Sequence, residues 1–233
     1  MAITKLSGVS WSSISNVNGI AIASIVSMSG VPAPPLSQTA SLSATKYGQY
    51  NATSTTSWTL AVNALSSNSN STVGVTLNSQ VAPSRTGTSY FVSRANLQFD
   101  LSSYSTSSIL SAKLLLDVNS VILTATPNEV YVLDLGGATF NFPTLNNADY
   151  SLVYQSGSFI EYATNTIDSA GLYELNFSAA AITEANTFPA AYSMALLTYH
   201  DRNDTAPSLN DRYQVAIQTT SPYQPPKLVI EFI

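Results

Sequence analysis

His200 is the only histidine in the chain, so acid–base chemistry near neutral pH would have to begin there. It stands in Tyr199-His200-Asp201-Arg202-Asn203-Asp204-Thr205, with Asn210 and Asp211 close behind. A Ser-His-Asp triad would take His200 as base and Asp201 or Asp204 to orient it. No Gly-x-Ser-x-Gly elbow and no glycine-rich oxyanion loop supplies the other half. Asp201, Asp204 and Asp211 could work as paired carboxylates on a glycoside, but one loop gives proximity without a second wall. Asp201, Asn203, Asp204, Asn210 and Asp211 also supply the hard oxygens that Ca²⁺ takes. Their spacing is not that of an EF-hand, and no glycine or bidentate glutamate follows at the required position. The bland alternative is a loop held by Asx-turns and a structural His–Asp pair, and it is the one preferred. No enzyme activity and no cofactor or metal is expected, with calcium at this loop the one alternative kept open. Tyr199, His200, Asp201, Asn203, Asp204 and Asp211 are the candidate ligand or calcium residues.

Tyrosine offers a second chemistry. Tyr47, Tyr50, Tyr90, Tyr104, Tyr150, Tyr154, Tyr162, Tyr199, Tyr213 and Tyr223 are among thirteen in the chain. Exposed rings stack on sugars, while buried ones pack strands and interfaces. Sequence does not separate the two.

Composition narrows the classes. With 233 residues there is length for one large or two small domains and ample core. Charged residues are 9% of the chain and the net charge is −5. There is no basic cluster, so nucleic acid is not an expected partner. No basic amphipathic helix points to a membrane surface. Cysteine is absent, which removes disulfides and thiol chemistry. The Asn-x-Ser/Thr sequons at Asn51, Asn70, Asn176 and Asn203 are expected by chance in so Asn/Ser/Thr-rich a chain.

Strands must position these residues. Leu97, Phe99 and Leu101 alternate with Asn96, Gln98 and Asp100. Leu114, Leu116 and Val118 alternate with Lys113 and Asp117, and Leu228, Ile230 and Phe232 with Lys227 and Glu231. This period of two predicts antiparallel sheet with one face buried. Further strands are predicted at 41–45, 58–62, 73–77, 121–126, 130–134, 150–154, 158–162, 172–177, 192–199 and 213–218. One short helix is predicted at 179–186, capped by Ser178 and stopped by Pro189. Many short strands and one helix give an all-β fold, an antiparallel β-sandwich of jelly-roll type.

The N-terminus is organised differently. Ile3-Thr4-Lys5-Leu6-Ser7-Gly8-Val9 returns as Ile14-Ser15-Asn16-Val17-Asn18-Gly19-Ile20, then as Ile25-Val26-Ser27-Met28-Ser29-Gly30-Val31. The period is eleven residues, and Trp11 matches Ile22 between the glycines. Ser/Asn-Gly between apolar β-formers predicts a strand, a tight turn and a strand in each unit. An odd period flips the faces, so a turn or bulge resets the phase each time. No charge occurs from Leu6 to Thr45. Such a stretch is too apolar for a free tail and too short for its own core, so it is expected to bury against a partner. The expected assembly interface is Leu6, Gly8, Val9, Trp11, Val17, Gly19, Ile20, Ile22, Met28, Gly30 and Val31. Pro32-Ala33-Pro34-Pro35 then marks a boundary between residues 1–35 and a domain at 36–233. Gly19–Val31 is broken by serines with only Lys5 basic upstream, so it is read as part of the working protein and not as a signal peptide. It is also too short to span a bilayer.

Arg94-Ala95-Asn96-Leu97-Gln98-Phe99-Asp100-Leu101-Ser102-Ser103, followed by Ile109-Leu110-Ser111-Ala112-Lys113-Leu114, resembles the phrase of DNRLRE-type, carbohydrate-binding-module-like jelly-roll domains. Tyr173-Glu174-Leu175-Asn176, the 199–207 loop and Pro225-Pro226-Lys227-Leu228-Val229-Ile230-Glu231-Phe232 follow in that family's order. The opening repeats resemble those of phage structural proteins, with Asn16 where a lysine is usual. These resemblances imply a non-catalytic module in a phage particle. The expectation is therefore a virion protein (head decoration, fibre or tail component) made in the host cytoplasm. Its repeats would dock on other virion proteins or form a homo-oligomer, with a trimer favoured. A carbohydrate-binding or host-receptor-binding module for a surface glycan is the alternative.

Overall fold

The computed structural model describes residues 36–64, 69–72, 79–105, 107–124, 127–135, 160–187, 191–217 and 224–233, plus the paired backbone of six short strands nearer the N-terminus. Those six form three hairpins. β1 (Lys5–Leu6) pairs with β2 (Val9–Ser10), β3 (Asn16–Val17) with β4 (Ile20–Ala21), and β5 (Ser27–Met28) with β6 (Val31–Pro32). Leu6 faces Val9, Val17 faces Ile20 and Met28 faces Val31, so the register repeats with the sequence period. Each hairpin is a sheet of its own. The side chains of the expected assembly interface lie outside the described residues, as do Gly8, Trp11, Gly19, Ile22 and Gly30 altogether.

The remaining strands build the expected antiparallel β-sandwich. They are β7 (Gln38–Ser43), β8 (Lys46–Ser54), β9 (Ser69–Thr72), β10 (Ser79–Thr86), β11 (Ser89–Asp100), β12 (Ile109–Leu123), β13 (Glu129–Asp134), β14 (Glu161–Thr166), β15 (Gly171–Asn176), β16 (Ala191–Thr198), β17 (Tyr213–Ile217) and β18 (Lys227–Phe232). The first sheet runs β14-β13-β16-β11-β8-β9. In the second, long β12 is flanked by β15 on one side and by β18 and β17 along the other, and β7 closes the β18 edge. β10 joins the two, pairing with β17 through Ser79–Val81 and with β11 through Ala82–Thr86.

Between the sheets Leu97, Phe99, Leu114, Leu116, Val130, Val132, Met194, Leu196, Val215, Leu228 and Ile230 form one core. Each such side chain contributes about 1.5–3 kcal/mol on burial. The alternation read along β11, β12 and β18 is what places them there.

Several expectations change. Residues 58–62 are helix α1 (Trp58–Val62), not a strand. The Ser57 hydroxyl accepts from the Leu60 N–H at 3.2 Å, and Trp58, Ala61 and Val62 share the buried face at helical spacing. Residues 121–123 continue β12 past a register shift between Val118 and Ser120, so no separate strand begins there. Tyr199 is not the end of a strand but the start of α3 (Tyr199–Arg202). The single-helix expectation thus becomes three among the described residues, with α2 (Ala179–Ala185) in the anticipated place and capped by Ser178. The strand expected at 41–45 begins earlier, as β7, and the predicted strands at 73–77 and 150–154 lie outside the described residues.

Asn96 and Gln98 are buried as well, against the expectation that their face of β11 meets solvent. α1 packs on β8 and β11, and α3 on β13 and β16, on the outside of the first sheet. There Tyr50, Trp58, Val62, Val92, Leu133 and Leu197 make a second, smaller core.

Candidate functional site

Between these two outer helices lies a buried ion pair. β11 aims Arg94 at the outer face, since its neighbour Ala95 points into the main core. Arg94 Nε donates to Asp201 Oδ2 and Nη2 to Oδ1, both at 2.7 Å. The same Nη2 donates to the Val62 carbonyl at the end of α1 at 3.0 Å. Arg94 is 0% and Asp201 1% exposed. A planar guanidinium meeting a carboxylate two-on-two is the strongest ion-pair geometry proteins use. It ties α1, β11 and α3 together.

This pair settles where the sequence-derived candidates sit. Asp201 turns its carboxylate away from His200 and into the fold. His200 places Nδ1 2.7 Å from the Thr205 carbonyl, which can only accept, so Nδ1 carries the proton. Its Nε2 is buried and has no hydrogen-bond partner, a serine hydroxyl included. Asn203 donates from Nδ2 to the Tyr199 carbonyl at 3.0 Å. Asp204 is exposed at φ 48°. Asp211 accepts the Ser208 N–H at 3.1 Å and donates its own N–H to the Ser208 carbonyl at 3.0 Å, closing a four-residue turn. The loop is therefore divided. Asp201 serves the interior and Asp211 a local turn, and no three His, Asp or Glu side chains converge among the described residues.

None of the described tyrosines is fully exposed. Tyr50, Tyr162, Tyr192 and Tyr213 are buried, and Tyr47, Tyr90, Tyr104, Tyr131, Tyr173 and Tyr199 half-buried. Tyr162 and Tyr192 stack at 5.3 Å, with Phe177 beside them. Tyr213 lays its hydroxyl between the Asn128 and Ile167 carbonyls at 3.0 and 2.9 Å. Burial pushes the phenols of Tyr162, Tyr192 and Tyr213 well above the usual tyrosine value. Tyr150, Tyr154 and Tyr223 lie outside the described residues.

Tyr131 gives a solution signature. Burial, then its 2.5 Å hydrogen bond to Glu129 and that carboxylate's charge, push it up to about 12. Its folded value exceeds its unfolded one, so its contribution to stability is complete below pH ~10 and disappears as pH rises toward ~12. Urea unfolding is expected to show stability falling through that window. The Tyr131→Phe protein should fall less steeply there, and equal slopes would contradict the assignment.

The second sheet offers a different kind of site. Its outer face carries a groove of about 420 Å³ lined by Thr39, Ser111, Lys113, Asn176, Phe177 and Glu231, among others. Lys113 pairs with Glu174 at 2.8 Å, and the Ser111 hydroxyl donates to Glu231 at 3.2 Å. The groove is lined by polar and apolar groups in nearly equal measure, is open to solvent and is of ligand size.

The class defined by fold and geometry is a two-sheet antiparallel β-sandwich with a helix-covered outer face and a train of short N-terminal hairpins. No family model matches the chain, and no curated protein matches it in sequence.

Proposed function

We propose that this chain is a non-enzymatic structural protein of a phage particle. Its N-terminal hairpins dock it into the assembly, and its sandwich stands exposed. One observation carries the reading. Three hairpins repeat one register, Leu6 to Val9, Val17 to Ile20 and Met28 to Val31, and each is a sheet of its own. A lone two-stranded hairpin is marginal in water, so three in series, with Lys5 of β1 the one charge among their strands, call for a surface to bury against. The likeness of these repeats to phage structural openings supplies the setting. Within the 199–211 loop Asp201 is committed to Arg94 and not to an exposed site.

Light scattering on the full chain and on a chain starting at Leu36 tests this. The full chain is expected to contain more copies than the shortened one. Equal copy numbers would count against self-assembly through the hairpins and leave only a foreign docking partner.

A second reading, recognition of a surface glycan, is favoured by the open groove that sets Lys113, Asn176 and Glu231 beside Phe177. A glycan array probed with the full chain and returning no selective binding removes it.

A further inference from the structure

Among the described residues one edge of the second sheet is β7, six residues reading Gln-Thr-Ala-Ser-Leu-Ser. Its partner on one side is β18, with Thr39 opposite Glu231, Ser41 opposite Val229 and Ser43 opposite Lys227. No strand lies on its other side among the described residues. The Ala44 N–H donates to the Pro226 carbonyl at 2.9 Å, which fixes the phase of the ladder. Backbone groups alternate sides along a strand, so Ala40 and Leu42 bond toward β18 and Thr39, Ser41 and Ser43 face outward. All three outward residues are exposed and small.

Sheet edges are ordinarily blunted by charge, proline or a bulge. β7 has no charged residue and no proline, and its register with β18 runs without a shift. Short β9 (Ser69–Thr72) is likewise uncharged, but the β15 and β14 edges are treated differently. Asn165 donates to the Glu174 carbonyl on β15 at 3.2 Å, and β14 opens with Glu161.

We propose that β7 pairs edge to edge with β7 of a second copy, antiparallel about a two-fold axis at Ser41. This goes beyond the assembly role of the hairpins and does not depend on it. In this register Thr39 faces the partner's Ser43, and each hydrogen-bonded pair exchanges two backbone bonds. Charge adds only a weak, salt-screened preference of direction, since the row from β18 to β18 spans three strand spacings, about 14 Å. Glu231 lies behind Thr39 and Lys227 behind Ser43 on the same outer face. Antiparallel pairing puts Glu231 of one copy and Lys227 of the other at opposite ends of one row, whereas parallel pairing puts like with like. A self-complementary patch of this kind is what a two-fold interface requires.

The native chain has no cysteine, so one introduced thiol reports on one place. In Ser41→Cys the two sulfurs meet across the axis, where facing Cα atoms are ~5.5 Å apart, within disulfide range. Mild oxidation of the full-length variant is expected to give a disulfide dimer at least ten-fold faster than Leu60→Cys, placed on exposed α1. Ser41→Lys sets two ammonium groups face to face and should halve the number of copies seen by light scattering. It should leave the circular dichroism unchanged. That factor of two is separate from any loss caused by the hairpins. Crosslinking no faster than Leu60→Cys, or an unchanged mass for Ser41→Lys, overturns the proposal.

Discussion

Replacing Arg94 with methionine is expected to lower the unfolding free energy by about 3–5 kcal/mol, the largest single-site effect in the sandwich. The loss is not that of one salt bridge at the surface, where a pair is worth about 1 kcal/mol or less. Arg94 is wholly buried, and its removal leaves the Asp201 carboxylate in the interior with neither solvent nor counter-charge. The Val62 carbonyl loses its donor as well. Asp201→Leu should cost a comparable amount, because it strands the guanidinium. The double variant discriminates. If desolvation is the cause, Arg94→Met with Asp201→Leu recovers most of the stability, since an apolar pair of similar volume no longer carries a charge inside. Additive losses in urea unfolding would show instead that packing of α1 and α3 dominates.

That pair also marks where sequence reading stops. Its partners are 107 residues apart, and no periodicity connects them. Arg94 stands out in the sequence only as the first residue of a family-like phrase, and Asp201 only as a loop carboxylate. A buried arginine among alternating strand residues is the one local signal, because arginine almost never goes inside unpaired. The main core is far more legible. Leu97, Phe99, Leu114 and Leu116 sit where their two-residue period puts them, because a pleated strand leaves a side chain no third direction. Asn96 and Gln98 mislead for the same reason. The period tells two faces apart but not whether the polar one is later covered, and here α1 and α3 lie on that side of the sheet. α1 is hard to read because five residues barely exceed one turn. Ser57 before Trp58, with Ala61 and Val62 following, is its only signature. In the divided loop Asp211 closes a turn by reaching back to Ser208, and composition alone does not single out Asp201 for the interior.

A chain carrying Gly8→Val, Gly19→Val and Gly30→Val together is expected to lose the hairpins and keep the sandwich. Two residues connect the facing pairs Leu6 and Val9, Val17 and Ile20, and Met28 and Val31. Connections of that length take turns with positive φ, and in all three the second connecting residue is glycine. Any L-residue there costs roughly 1–2 kcal/mol, so three turns lose about 3–6 kcal/mol before the added crowding of a β-branched side chain. A two-stranded hairpin has little stability from which to absorb that. The sandwich strands pair with one another from Gln38 to Phe232, so nothing in their ladder depends on those turns. The variant's thermal unfolding should therefore stay within a few degrees of the parent. Its copy number should fall to that of the chain starting at Leu36, and its incorporation into particles should be lost. A triple variant that still assembles at parental levels would remove the hairpins as the docking device. The exposed sandwich, with its β7 edge and open groove, would then be left to carry the contacts.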